Sequence, residues 1–70
     1  MNKTELKTNL EKLVEQLEQE DKNVFRFYLD KFGVYTENWT DKQNEEYLKV
    51  MNHIWDAEGS LKSAIGVYEE

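Results

Sequence analysis

The segment that decides the fold runs from Val24 to Thr40 and reads VFRFYLDKFGVYTENWT. Six of the chain's nine aromatic residues lie in it, whereas the apolar residues on either side are mostly aliphatic. Aromatic side chains bury large apolar areas when they pack. We therefore expect this segment to supply the bulky part of the core, and we expect the flanking segments to fold onto it.

This central segment fits two secondary structures. As a helix it places most of its large apolar residues on one arc, leaves Phe27 on the far side, and ends at Gly33 in a left-handed conformation. As a β-hairpin at about 24–39, with a turn at 30–33, it brings Phe27 to the inner face. A two-stranded sheet is marginal on its own, so the helix is the favoured interpretation. The residues on the helical arc are Val24, Phe25, Tyr28, Leu29 and Phe32.

The N-terminal segment has the most regular pattern, because its apolar residues recur at the spacing of one helix face. They are Leu6, Leu10, Leu13, Val14 and Leu17. Asn2 or Thr4 can cap this helix, and Asn2 with Glu5 three residues further on resembles a capping box. The pattern fails at Glu20 and Asp21, which fall where apolar residues are expected. Either one long helix runs to Phe32 with the two acids on its inner edge, or the helix bends near Glu20 and a second helix begins with Asp21 as its cap. Burying unpaired carboxylates is costly, so we favour the bend.

The C-terminal half begins with a capping box formed by Thr40 and Gln43, which predicts a helix start. The apolar face that follows consists of Tyr47, Leu48, Met51, Ile54 and Trp55. Gly59 is suited to end this helix, since continuation would place Glu58 and Lys62 inside the apolar arc. We therefore expect a break there and a short final helix.

The predicted fold is a single all-α domain over residues 1–70, a small bundle of three to four helices. Their expected bounds are about 3–20, 22–32, 41–58 and 60–68. The alternative is an α+β fold with the central β-hairpin at about 24–39. A chain of this size buries only about 60% of the surface that it exposes when unfolded, and it has no cysteine for disulfides. Dense aromatic packing or a homodimer is expected to supply the remaining stability.

The charge balance limits the partners. The net charge is −6, and residues 36–70, with three basic and eight acidic groups, carry −5 of it. This argues against direct nucleic-acid binding and against an anionic membrane surface, and it favours another protein with a basic surface. No signal peptide or apolar span is present, and the lack of cysteine fits a reducing compartment, so we expect a cytoplasmic protein.

No motif for catalysis, a cofactor or a metal is present. The single histidine, His53, has Asp56 three residues further on, but no nucleophile motif accompanies the pair. One histidine without cysteine cannot build a histidine or thiolate metal site. We therefore predict a non-enzymatic protein without cofactors or metal sites.

Two features predict a binding surface. Aromatic residues in and beside the central loop are candidate anchors, because aromatic residues are enriched at binding hot spots. Acidic residues at the start of the following helix are candidate contacts for a basic partner. The predicted contact residues are Phe27, Tyr35, Trp39, Asp41, Glu45 and Glu46. For Trp39 the alternative is a side chain that folds back over the core.

These features predict a small acidic regulator or inhibitor that binds another protein through an aromatic-centred and acidic surface. The alternative is a nucleic-acid mimic whose carboxylates occupy the basic cleft of a DNA- or RNA-binding protein. Anti-restriction and anti-CRISPR proteins of phages and mobile elements act in that way. The similarity to them is one of size and charge only.

Overall fold

A computed structural model of residues 1–70 consists of two long α-helices and a short connection. Helix α1 spans Lys3–Phe32, a 3-10 turn spans Thr36–Asn38, and helix α2 spans Asp41–Glu69. The helices form a hairpin 49 Å long and 17 by 14 Å across. Lys7 pairs with Glu69 at the open end, so the two helices run antiparallel.

The predicted bundle of three to four helices is wrong, and the α+β alternative is wrong as well, since the chain forms two helices and no strand. The expected helices 3–20 and 22–32 are one continuous helix. The expected helices 41–58 and 60–68 are likewise one helix. The central β-hairpin at 24–39 is absent, because α1 remains helical as far as Phe32.

Helix α1 passes through Asp21 because this acid meets a second acid, Glu58, on α2. Asp21 is half-buried and Glu58 is buried. A hydrogen bond to Asp21 raises the pKa of the Glu58 carboxyl, and burial and the negative charge of Asp21 raise it further. The raised pKa favours protonation of Glu58, which would remove one of the two charges and supply a donor between the carboxyl groups. The free-energy cost of burying these carboxyl groups, which was the reason to expect a bend, is thereby reduced. Glu20, the other acid that was expected on the apolar face, is exposed.

Helix α2 passes through Gly59 because this glycine is exposed and nothing crowds it. A glycine inside a helix costs about 1 kcal/mol relative to alanine. The residues beyond it, Leu61 and Ile65, are half-buried against the hairpin. Fully burying one aliphatic side chain is worth about 1.5–3 kcal/mol, so partial burial of two offsets the glycine. Continuation of the helix beyond Gly59 was expected to place Glu58 and Lys62 inside the apolar arc. Glu58 is buried, whereas Lys62 is exposed.

The predicted starts at about residues 3 and 41 are confirmed, whereas those at 22 and 60 are wrong. The Asn2 side-chain oxygen accepts a 2.9 Å hydrogen bond from the Glu5 N–H at the start of α1. At the start of α2 the capping box is complete, since the Gln43 N–H donates to Thr40 Oγ1 and the Thr40 N–H donates to Gln43 Oε1. Local side-chain chemistry therefore sets where both helices begin.

The core is a thin seam between the helices. Its buried apolar residues are Val14, Tyr28, Trp39 and Met51. No large side chain is completely enclosed, although Met51 comes close at 2% exposure. Neither helix carries an apolar stretch long enough to cross a bilayer. At the loop end the seam is aromatic, and this is the part that positions the candidate site.

Candidate protein-binding surface at the loop end

The hairpin brings all six predicted contact residues to one end of the molecule. Phe27 lies in the last two turns of α1, and Tyr35 and Trp39 lie in the connection. Asp41, Glu45 and Glu46 follow in the first turns of α2. The structure separates them, however, into side chains that face solvent and side chains that hold the fold.

Trp39 belongs to the interior, at 6% exposure. Its indole N–H donates a 2.8 Å hydrogen bond to the carbonyl oxygen of Gly33. Its ring packs edge to face on Phe32 and on Tyr47, with centroid distances of 5.5 and 5.6 Å. Trp39 therefore folds back over the core, which was the alternative interpretation of this residue.

Gly33 ends α1 with a backbone that favours glycine. Its φ of 108° is positive, as predicted, but its ψ of 154° is extended rather than left-handed helical. That region is essentially restricted to glycine. The Gly33 N–H donates to the Leu29 carbonyl and its own carbonyl accepts from Trp39. Both hydrogen bonds fix the direction in which the loop leaves the helix.

Three large apolar side chains remain in solvent at this end. Their exposed fractions are 56% for Phe27, 67% for Val34 and 65% for Tyr35. Phe27 packs edge-on against Tyr28 at 5.1 Å between ring centroids, and the Lys31 ammonium lies 5.8 Å from its ring. Val34 is exposed as well, although it is not among the predicted contact residues. Its position between Gly33 and Tyr35 in a polar loop was the available signal.

The predicted acids differ in their roles. Asp41 and Glu45 are exposed at the start of α2. Glu46 instead lies 3.8 Å from the Lys31 ammonium, and hydrogen bonding to its carboxylate raises the pKa of the Tyr28 hydroxyl. Glu46 thus joins the two helices, whereas Asp41 and Glu45 are available to a partner.

A shallow hollow on the outer side of α2 is lined by alternating charges. Its residues are Lys42, Glu45, Glu46 and Lys49. Two ammonium groups therefore lie among the carboxylates, and the local field is mixed rather than uniformly negative. No group of three or more acidic or histidine side chains is placed to hold a metal ion. His53 and Asp56 are both exposed on the helix surface.

No protein-family model matches this chain, and neither a curated protein nor a solved structure matches it. The function of this hairpin is therefore inferred from its own exposed side chains.

Proposed function

We propose that this chain is a small non-enzymatic protein-binding regulator or inhibitor that contacts its partner with the loop end of the hairpin. The observation that carries the proposal is the exposure of Phe27, Val34 and Tyr35 beside a backbone fixed by Trp39. Large apolar groups that cluster in solvent are a feature of interaction sites. We call this part of the molecule the loop-end surface, which consists of Phe27, Val34, Tyr35, Glu37 and Asp41.

A fixed loop supports this proposal on energetic grounds. Association loses side-chain and loop entropy, and that loss is smaller when the contact residues are already held in place. The hydrogen bond from Trp39 to Gly33 and the aromatic packing beneath it hold the loop in one conformation. Phe27 and Tyr35 are residue types that anchor many protein interfaces.

The charge around these aromatic residues selects the partner. The Lys31 ammonium lies 5.8 Å from the Phe27 ring, but around Val34 and Tyr35, from Phe32 to Asp41, the chain contains two acids, Glu37 and Asp41, and no basic residue. A partner with lysine or arginine around an apolar pocket complements this arrangement and is attracted to it over a longer range.

Nucleic-acid mimicry has less support as a second proposal. A mimic needs carboxylates spaced over a surface of uniform sign, in place of phosphates. At the start of α2 Lys42 and Lys49 share their surface with Glu45 and Glu46. This mixture favours a protein partner recognised mainly through apolar side chains.

The proposal is tested by capturing partner proteins from a cell extract on the immobilised chain and on matched variants. The immobilised wild-type chain and a Trp55→Ala variant should retain the same partner protein, because Trp55 is 44% exposed but lies in the middle of α2. Phe27→Ala and Tyr35→Ala should each lose it. A partner that all four forms retain equally contradicts the loop-end surface, and so does the absence of any protein that the wild type and Trp55→Ala retain and the two loop-end variants lose.

A further inference from the structure

A second surface of the hairpin lies along its length, away from the loop-end surface. A groove of about 410 Å³ runs between the helices, and five side chains line it. They are Leu13, Gln16, Leu17, Glu20 and Leu61. Leu6 and Leu13, one heptad apart on this side, are 37% and 45% exposed. The proposed function uses none of these residues.

This groove lies in a flank that is almost free of charge. On α1, successive residues turn by about 100°, and the residues on the groove side between positions 6 and 24 include one exposed charged group, Glu20; Asp21, about 80° from Leu13, is half-buried beside Glu58. The groove-side residues are Leu6, Asn9, Leu10, Leu13, Gln16, Leu17, Glu20, Asn23 and Val24. The other side of the same helix carries Glu11, Glu15, Glu18, Lys22 and Arg26.

Helix α2 continues this pattern beside Leu61. Apart from Glu58, which lies about 60° from Leu61 but is buried in the seam, its residues on the groove side from position 50 to 68 contain no lysine, arginine or carboxylate, and several are small. They are Val50, His53, Ile54, Ala57, Ser60, Leu61, Ala64, Val67 and Tyr68. The two sets together are called the charge-poor flank. Depletion of charged residues is the compositional mark of the centre of a protein interface.

We infer that the charge-poor flank is the interface between two copies of this chain, which pair into a four-helix bundle. The seam inside one hairpin buries four apolar residues and completely encloses none. A domain of this size without disulfides or a metal commonly obtains its missing burial from a second subunit. A two-fold pair places the same flank on both sides of the interface, so each copy meets a surface equally poor in charge.

The flank is long enough for helices of two copies to pack on each other. Positions 6–24 and 50–68 each extend for about 27 Å, or about five turns, at 1.5 Å per residue. The small residues Ala57, Ser60 and Ala64 allow helices to approach closely. The charged residues of α1 lie mainly on the other side of the helix. The net charge of −6 per chain therefore causes little repulsion at the contact. A basic partner would find one carboxylate, Glu20, near the middle of this flank.

Two leucines provide a matched test. Leu13 and Leu48 are both 45% exposed in helices, but Leu13 lines the groove, whereas Leu48 lies about 180° around α2 from Ala57. The mass of the wild-type chain, measured by sedimentation equilibrium from low to high micromolar concentration, should be that of a dimer. Leu13→Gln should weaken the dimer by roughly tenfold or more, because each dimer loses two buried leucines. Leu48→Gln should leave the dissociation constant within about threefold of wild type.

Spin labels keep the inference testable if Leu13→Gln fails to fold. The chain has no cysteine, so Gln16→Cys at the groove and Glu15→Cys on the charged side each give one label site. The distance between labels on two copies should be clearly shorter for Gln16→Cys. A monomer at every concentration, association that Leu48→Gln disrupts and Leu13→Gln does not, or equal label distances would each overturn the inference. The loop-end variant Tyr35→Ala should keep the dimer, which separates this inference from the proposed function; Phe27→Ala is not used for this purpose, because Phe27 lies one heptad beyond Glu20 on the same side of α1.

Discussion

The indole nitrogen of Trp39 donates a 2.8 Å hydrogen bond to the carbonyl oxygen of Gly33, the residue that ends the first helix. This contact joins the exit of α1 to the entrance of α2 across a connection of only a few residues. The same tryptophan packs on Phe32 from α1 and on Tyr47 from α2. One buried side chain thus sets the geometry of the whole turn.

Trp39→Phe should therefore destabilise the hairpin by about 1–2 kcal/mol, because it removes the hydrogen-bond donor and part of the buried ring. Urea unfolding followed by circular dichroism measures this loss. Trp55→Phe is the control, since Trp55 is 44% exposed and donates no hydrogen bond within the chain; its effect should stay within about 0.5 kcal/mol. Equal losses for both variants would show that the bond to Gly33 does not fix the turn.

The same substitution should have opposite effects at two glycines. Gly33 has a φ of 108°, so Gly33→Ala should cost about 1–3 kcal/mol through backbone strain, although no atom would contact the added methyl group. Gly59 is helical and open, so Gly59→Ala should stabilise by up to about 1 kcal/mol. Thermal unfolding of both variants beside wild type measures the signs. Stabilisation by Gly33→Ala would show that the loop leaves α1 with a different backbone.

Glu58→Gln should change how stability depends on pH. The pKa of Glu58 is raised by the hydrogen bond to Asp21, by burial and by the charges of Asp21 and Glu18, and Lys62 partly opposes this. Since the folded-state pKa lies above the usual 4.5, the contribution of the carboxyl group is fully present below 4.5 and is lost as pH rises through the folded-state pKa. Glutamine donates to Asp21 without needing a proton, so the variant should gain stability at neutral pH.

Melting temperatures between mildly acidic and neutral pH measure this effect. The wild-type chain should become less stable as pH rises across that window, because the Glu58 carboxyl group loses its proton. The stability of Glu58→Gln should fall less over the same range. Glu15→Gln on the exposed side of α1 is the control and should keep the wild-type profile. Identical profiles for wild type and Glu58→Gln would contradict a proton shared between Asp21 and Glu58.

Charge reversal at Glu45 separates the two proposed functions. Glu46 is a poor probe for this purpose, because it pairs with Lys31 and accepts from the Tyr28 hydroxyl. If apolar anchors dominate, Glu45→Lys should weaken partner binding by less than about threefold, and added salt should have little effect, since charge at the rim of an interface contributes little affinity. Titration calorimetry at low and high salt measures both. Loss of binding on Glu45→Lys, with a steep salt dependence in wild type, would favour the nucleic-acid mimic instead.

Local features of this fold follow directly from its sequence. Asn2, Thr40 and Gln43 mark the helix starts because capping depends on residues a few positions apart. The helical interpretation of the central segment also correctly leaves Phe27 outside, where it is 56% exposed. The apolar periodicity identifies which residues are helical, and the structure agrees with it on both sides of the turn.

The continuity of the two helices could not be predicted from these local patterns. Asp21 and Glu58 each interrupt an apolar stripe, and each alone predicts a break. They are 37 positions apart in the sequence, and only the antiparallel pairing of the helices places one against the other. The role of Trp39 was open for a similar reason, since its partner Gly33 lies across the turn. Val34 was missed because its exposure depends on the direction of the loop.

The short connection between the helices also determines the order in which the hairpin forms and opens. Phe32 and Trp39 are 7 positions apart, whereas Lys7 and Glu69 at the open end are 62 apart. The loop-closure entropy for the longer separation is larger by about 2 kcal/mol if no intervening contact has formed. Folding is therefore expected to start at the aromatic turn and to proceed by zippering toward the chain ends, and unfolding is expected to start with fraying of those ends. Among the helical amides, those next to the aromatic turn should therefore exchange their hydrogens last, whereas the exposed loop amides of Val34 and Tyr35, which donate no hydrogen bond, should exchange rapidly.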